Sequence, residues 1–165
     1  MKKRPQDDMY CYVNNQWEKS IKIPKAYSKW SVFQELHEKK LKSLRNILKN
    51  VGEYVYNNLQ SNKVLIRKPQ GGFYLMPEFL DKKYKSSEEM CTDLLNNTGV
   101  ALLPGSDFGF SKNKMIARLS FTDFNGKEFM ENFQSDKNIK VEDIEKFAPK
   151  IIEGTKRLKV WAESS

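Results

Sequence analysis

The clearest periodic stretch runs from residue 30 to 59. Trp30, Phe33, His37, Leu41, Leu44, Leu48, Val51, Val55 and Leu59 recur at spacings of three and four, which predicts one long helix with these residues on a single face. Ser31 followed by Gln34 reads as its N-terminal capping box. Thirty residues at 1.5 Å each predict a rod of about 45 Å. Gly52 weakens it by roughly 1 kcal/mol relative to Ala and is a candidate bend.

The period then changes. Lys63 to Arg67 and Gly72 to Met76 read as strands separated by the turn residues Pro69-Gln70-Gly71. Ser86 or Ser87 begins a second helix, with Glu88 and Glu89 in the first turn, where the helix dipole favours negative charge. Its buried stripe is Met90, Leu94 and Leu95, and Gly99 supplies the left-handed C-terminal cap. Val100 to Leu103 reads as a short buried strand ended by Pro104-Gly105. Met115 to Phe121 alternates, with Ile116, Arg118 and Ser120 against Ala117, Leu119 and Phe121. Residues 127 to 134 read as helical. Ile144, Phe147, Ile151, Ile152, Thr155 and Leu158 mark a final helix kinked or restarted at Pro149.

Before residue 28 the pattern is weak. Met9 to Val13 reads as a short strand, and residues 1–27 otherwise as an arm or linker, which leaves 28–165 as one domain. The expected fold is α/β, of the α+β small-domain kind: a small mixed or antiparallel sheet covered by helices on one side, with one long N-terminal helix. The open sheet face is expected to meet another domain.

Composition bounds the rest. A chain of 165 residues can bury roughly 70% of its unfolded surface and so build its own core. Hydrophobic residues are 39%, too many for a disordered chain. No apolar run approaches the ~20 residues of a membrane-spanning helix, and Met1-Lys2-Lys3-Arg4 is followed by Asp7 and Asp8 instead of an apolar stretch, so no signal peptide is read and the cytoplasm is the expected compartment. The formal net charge of +8 invites a nucleic-acid reading. However, 24 of the 29 basic residues are lysine, spread along the chain and mixed with acids, which reads as a solvated surface. Cys11 and Cys91 lack CxxC spacing and a neighbouring histidine, so neither zinc nor a disulfide framework is expected. The single histidine, His37, lies in a charged stretch with nothing nearby to complete a catalytic triad.

Three segments are hard to read as generic core: Gln70-Gly71-Gly72-Phe73-Tyr74-Leu75-Met76-Pro77, the stretch from Leu94 to Gly109 containing Gly99-Val100 and Pro104-Gly105-Ser106-Asp107-Phe108-Gly109, and Ala117-Arg118-Leu119-Ser120-Phe121. Arg118 on a buried strand, flanked by Ala117, Leu119 and Phe121, reads as a functional residue, because a charge is rarely placed among such neighbours without a role. A surface ion pair with Asp107 or Asp123 is the structural alternative. Phe73, Tyr74 and Phe108 read as core aromatics or as site walls. In order and spacing these segments resemble the C-terminal part of class I/II aminotransferases, the fold-type I enzymes that use pyridoxal phosphate (PLP), the alanine/aspartate branch being nearest. The resemblance covers roughly residues 28 to 162, including the tail from Val141 to Trp161, and residues 1 to 27 match nothing in it.

The resemblance implies amino-group transfer between an amino acid and a 2-oxo acid in the complete enzyme. It assigns Arg118 to the substrate α-carboxylate and makes Tyr74, Ser106 and Phe108 pocket-lining candidates. It assigns no catalytic, cofactor-binding or metal residue to this chain, because the family's PLP lysine, its Asn-Pro loop and the aspartate for the pyridine nitrogen lie in a large domain that these residues do not supply. Phe110-Ser111-Lys112-Asn113 imitates the lysine motif, but follows PGSDFG directly and reads as a solvated hairpin. The implied picture is a C-terminal fragment, inactive in transamination alone, whose partners are the missing large domain, the amino-acid or 2-oxo-acid substrate and, in the complete enzyme, a second subunit. An apolar patch and self-association are expected of the face that meets the large domain. The alternatives are a non-catalytic carboxylate-binding or regulatory module, a split-enzyme subunit and, with least support, a basic nucleic-acid binder.

Overall fold

The computed structural model describes residues 4–133 and 138–164. The chain divides into two compact units, the residues up to Glu38 and those from Lys39 onward. In the first unit, Met9–Ser20 forms helix α1. The expectation of a strand at Met9 to Val13 is therefore corrected. Asp8 accepts a hydrogen bond from the Cys11 N–H at 2.9 Å and starts a helix there. The apolar residues behind it are contiguous and do not alternate, so they define no strand face. Trp17 donates its indole N–H to Glu35 at 3.1 Å, and the Tyr27 hydroxyl donates to Glu38.

Helix α2 (Val32–Leu59) begins where expected, with Ser31 accepting from the Gln34 N–H. Its buried positions in the second unit are Ser43, Ile47, Val51, Gly52, Val55 and Leu59. The expected stripe is buried at Val51, Val55 and Leu59 and packs on the core at Leu48, but Leu44 and Phe33 are exposed, Phe33 to 84%. Gly52 serves close approach, since a Cβ there would sit 2.9 Å from the ring tip of Phe121.

Beyond α2 come strands β1 (Val64–Leu65), β2 (Tyr74–Leu75) and β3 (Glu78–Phe79), then helix α3 (Ser87–Thr98). The two strands read around Pro69-Gln70-Gly71 do not pair with each other. β1 pairs antiparallel with β3, and β2 pairs antiparallel with a later strand. Helix α3 starts on Ser86, whose hydroxyl accepts from the Glu89 N–H, and ends on Gly99 at φ 71°, in the left-handed region that glycine tolerates. Strand β4 is only Leu103–Pro104, with Leu103 46% exposed, so the expected buried strand from Val100 is shorter and lies at an edge. It leads into a 3₁₀ turn, Gly105–Phe108, and then to β5 (Ala117–Ser120). The last helices are α4 (Gly126–Asn132), α5 (Val141–Phe147) and α6 (Pro149–Glu163). Proline at the first turn of α6 restarts the helix, because it cannot donate the bond that would continue α5.

The described residues thus comprise six helices and small antiparallel sheets, a mixed α/β content, and all the strands lie in the second unit. The three-stranded sheet runs β2-β5-β4. Leu75 lies opposite Leu119, and both are buried with Ala117 against Val51, Val55 and the later helices. The other face of the same strands carries Tyr74, Arg118 and Ser120, which are partly or fully accessible. One face is therefore covered by core and one is open.

Candidate functional site

Strand register assembles the open face. Tyr74 pairs with Ser120, and Leu103 pairs with Arg118. Side chains alternate along a strand, so Arg118 shares a face with Ser120 and is the diagonal neighbour of Tyr74. The turn after β4 brings in Phe108. The Arg118 guanidinium carbon lies 4.4 Å from the Tyr74 ring centroid and 4.1 Å from that of Phe108, over both ring faces. Three of the four residues singled out from sequence therefore meet in one place. Ring faces attract the cation and hold it in position without consuming its N–H donors. Among the described residues, no carboxylate pairs with Arg118. The alternative partner Asp123 is engaged by Lys150 at 3.3 Å.

Ser106 sits one step away. Its hydroxyl donates to Glu88 Oε1 at 2.7 Å, and it accepts from the Ser87 hydroxyl at 3.3 Å. Hydrogen bonds from Ser106 first, then Ser86, hold the Glu88 carboxyl down at about 2, below its ordinary 4.5. Because the folded value is depressed, the stability this contact provides is present above about pH 4.5 and is lost as pH falls toward 2. Acid unfolding of the wild type should be steeper over that window than acid unfolding of Glu88→Gln, and coincident curves would show that the carboxylate is not held. Sequence reading missed Glu88 as a partner of the turn. Its signal was present only as a first-turn acid.

The glycine before Ser106 is dictated by backbone contact. Gly105 donates its N–H to the Ile116 carbonyl at 2.8 Å, and a Cβ on Gly105 would lie 2.8 Å from that oxygen. Gly109 closes the turn at φ 83°. Lys112 is 78% exposed and lies 4.0 Å from Glu88, which matches a solvated hairpin lysine. A Schiff-base lysine for PLP requires a water-excluded pocket beside phosphate donors, and the surroundings of Lys112 do not fit that group. Cys91 is buried and its thiol is pushed up to about 11, mainly by burial, so it is a poor nucleophile at neutral pH. Among the described residues, no group of three or more potential ligands could hold a metal, and no helix is long and apolar enough to cross a membrane.

The fold and the arginine-bearing strand are those of a small α+β domain. In structure it matches part of an alanine aminotransferase from Pyrococcus furiosus, with a TM-score of 0.51 and 21% identity over 79% of this chain and 25% of that one. An aspartate aminotransferase from Thermotoga maritima gives a TM-score of 0.45 and 24% identity over 71% of this chain and 23% of that one. In sequence it is 31% identical over 85 residues to an aspartate aminotransferase of Sulfolobus acidocaldarius, across 49% of this chain and 21% of that relative. At low identity and over part of its length, the chain is thus similar to an aspartate aminotransferase in sequence and to an alanine aminotransferase in fold. It spans about a fifth of the length of the curated relative it matches.

A family model described as peptidase family M13 also matches, over residues 5–103, more than half of the chain. This match is unrelated to the aminotransferase homology. The matched residues contain a single histidine, His37, which is exposed on α2, and among the described residues no group of three or more His, Cys, Asp or Glu could hold a metal ion. The match also stops before β5, the strand that carries Arg118.

Proposed function

We propose that residues 28–162 are the C-terminal small domain of a PLP-dependent aminotransferase, and that Arg118 holds the α-carboxylate of its amino-acid or 2-oxo-acid substrate. The observation that carries this reading is the placement of Arg118: on the open sheet face, packed on Tyr74 and Phe108, and without an acidic partner among the described residues. A planar cation held by two rings and free to donate is matched to a carboxylate, which can take two parallel N–H bonds. The ladder on both sides of β5 keeps it in place, so a bound acid would be oriented as well as retained.

PLP, when bound in the complete enzyme, supplies the electron sink of amino-group transfer. The surroundings of Lys112, the one lysine in a motif resembling the cofactor lysine's, do not fit that group, so in this reading the cofactor site belongs to a large domain that meets the open face. The 165-residue chain alone binds acids without transaminating them. The same geometry suits a subunit that joins a separately made large domain, because the open face would be the joining surface in either case.

The test is a titration of the chain with succinate, followed at the Arg118 Nε–Hε resonance. The expected result is saturable binding in the millimolar range, equivalent to about 4 kcal/mol, with Arg118 among the most shifted signals. PLP added separately and trapped with borohydride should label lysines without preference. Absence of any Arg118 response to succinate would remove the carboxylate assignment, and stoichiometric labelling of one lysine would place cofactor chemistry in this chain.

A further inference from the structure

Phe108 is 38% exposed, so packing does not lock its ring over Arg118. Its position is set by the backbone of the Gly105–Phe108 turn, and that turn is tied at one side-chain point. The Ser106 hydroxyl donates to Glu88 at 2.7 Å, while the Ser106 N–H donates to the Ser87 hydroxyl at 3.4 Å. Ser87 is itself fully buried, and its own N–H donates to the Lys112 carbonyl at 2.9 Å, on the far side of the turn. The proton order is also determined. A carboxylate can only accept, so it takes the Ser106 proton and leaves the Ser106 oxygen to accept from Ser87 at 3.3 Å. Glu88 Oε1, the oxygen that takes this proton, also lies 4.0 Å from the Lys112 ammonium.

We propose that Glu88 and Ser106 are positioning residues for Arg118. They hold the first turn of α3 to the Gly105–Phe108 turn, so that Phe108 stays on the guanidinium and the arginine stays aimed. This rests on the carboxylate-binding role of Arg118 for its function, but not for its geometry. The chain of contact runs Glu88, Ser106, Phe108, Arg118, and only the last member touches the acid.

The experiment uses the 165-residue chain with isotope-labelled arginine and three readouts: the ring-current shift of the Arg118 Hδ protons, succinate affinity, and thermal unfolding. Glu88→Ala removes the acceptor, Ser106→Ala removes the donor, and Glu88→Gln retains an acceptor oxygen. The two alanine variants should move the Arg118 protons toward their unshielded position and weaken succinate about threefold to fivefold, on the scale of one hydrogen bond. Glu88→Gln should stay within about twofold of the wild type. In a Phe108→Ala background, Glu88→Ala should change affinity no further, because coupled residues are not additive.

The proposal is overturned if both alanine variants fold normally and leave the Arg118 protons unmoved. It is also overturned if Glu88→Ala weakens succinate equally with and without Phe108, or if both variants unfold, since the contact would then serve the fold alone. Should the wild type fail to bind succinate, the carboxylate reading is lost, while the Arg118 proton shifts still decide whether Glu88 and Ser106 position the arginine.

Discussion

Replacing Arg118 with alanine is expected to weaken carboxylate binding by about a hundredfold. Two charge-assisted hydrogen bonds contribute about 1.5 kcal/mol each at the low end, and 1.4 kcal/mol is a factor of ten. The rest of the open face offers no ready substitute: Tyr74 and Phe108 give ring faces, and Ser106 is committed to Glu88. Arg118→Lys separates charge from shape. A lysine ammonium keeps the charge as a point but loses the planar fork, and its stem cannot lie on two rings as a guanidinium does. It should recover about one factor of ten and no more. Succinate titration of the three proteins at fixed low salt measures both steps. Wild-type affinity in the alanine variant would mean that the acid is held elsewhere, by some of the 24 lysines. The same pair of variants placed in an assembled enzyme should raise KM for the amino acid, and kcat should fall as well if the arginine also orients the reacting carbon.

The largest stability effect is expected at Phe121. Its side chain is 1% exposed, and its ring tip occupies the space that Gly52 leaves on α2. Its backbone N–H donates to the Phe73 carbonyl at 3.2 Å, extending the β2–β5 pairing beyond Ser120. Phe121→Ala should cost about 3–5 kcal/mol by lost burial and the cavity left behind, a large share of the 5–15 kcal/mol that folded domains possess. Gly52→Ala probes the same contact from the helix. Its new Cβ would stand 2.9 Å from the Phe121 ring, so overpacking costs about 1–3 kcal/mol, offset by roughly 1 kcal/mol of better helix propensity. In a Phe121→Ala background the clash disappears and only the propensity gain remains, so Gly52→Ala should change sign and stabilise. Denaturant midpoints for the four proteins test this. Additive effects would show that the two residues do not share the contact.

Several elements were legible because the forces that make them are local. Ser86, the acids behind it and Gly99 delimit α3 by capping alone. Pro149 divides the last helices because it lacks a donor. The alternation around Arg118 predicts the strand and its open face, since period two needs no partner to be visible. Other elements turned on partners that sequence spacing does not name. The strands flanking Pro69-Gln70-Gly71 look like a hairpin, yet each finds a different strand. The N-terminal half of the α2 stripe has the right spacing, yet Phe33 and Leu44 are exposed.

The site divides in the same way. Arg118, Tyr74, Ser106 and Phe108 could be chosen from residue type and motif order. That Tyr74 and Phe108 converge on Arg118 depends on strand register and on a turn held by Glu88, whose role is set by a residue 18 positions away. Capping, proline chemistry and side-chain alternation act over a few residues, so the amino-acid sequence by itself determined where helices begin, where they end and which side of β5 is polar. Pairing between strands, the space left by Gly52 and the ring faces packed on Arg118 were decided only by the tertiary structure, because each requires two distant segments to meet and either one alone is compatible with other partners.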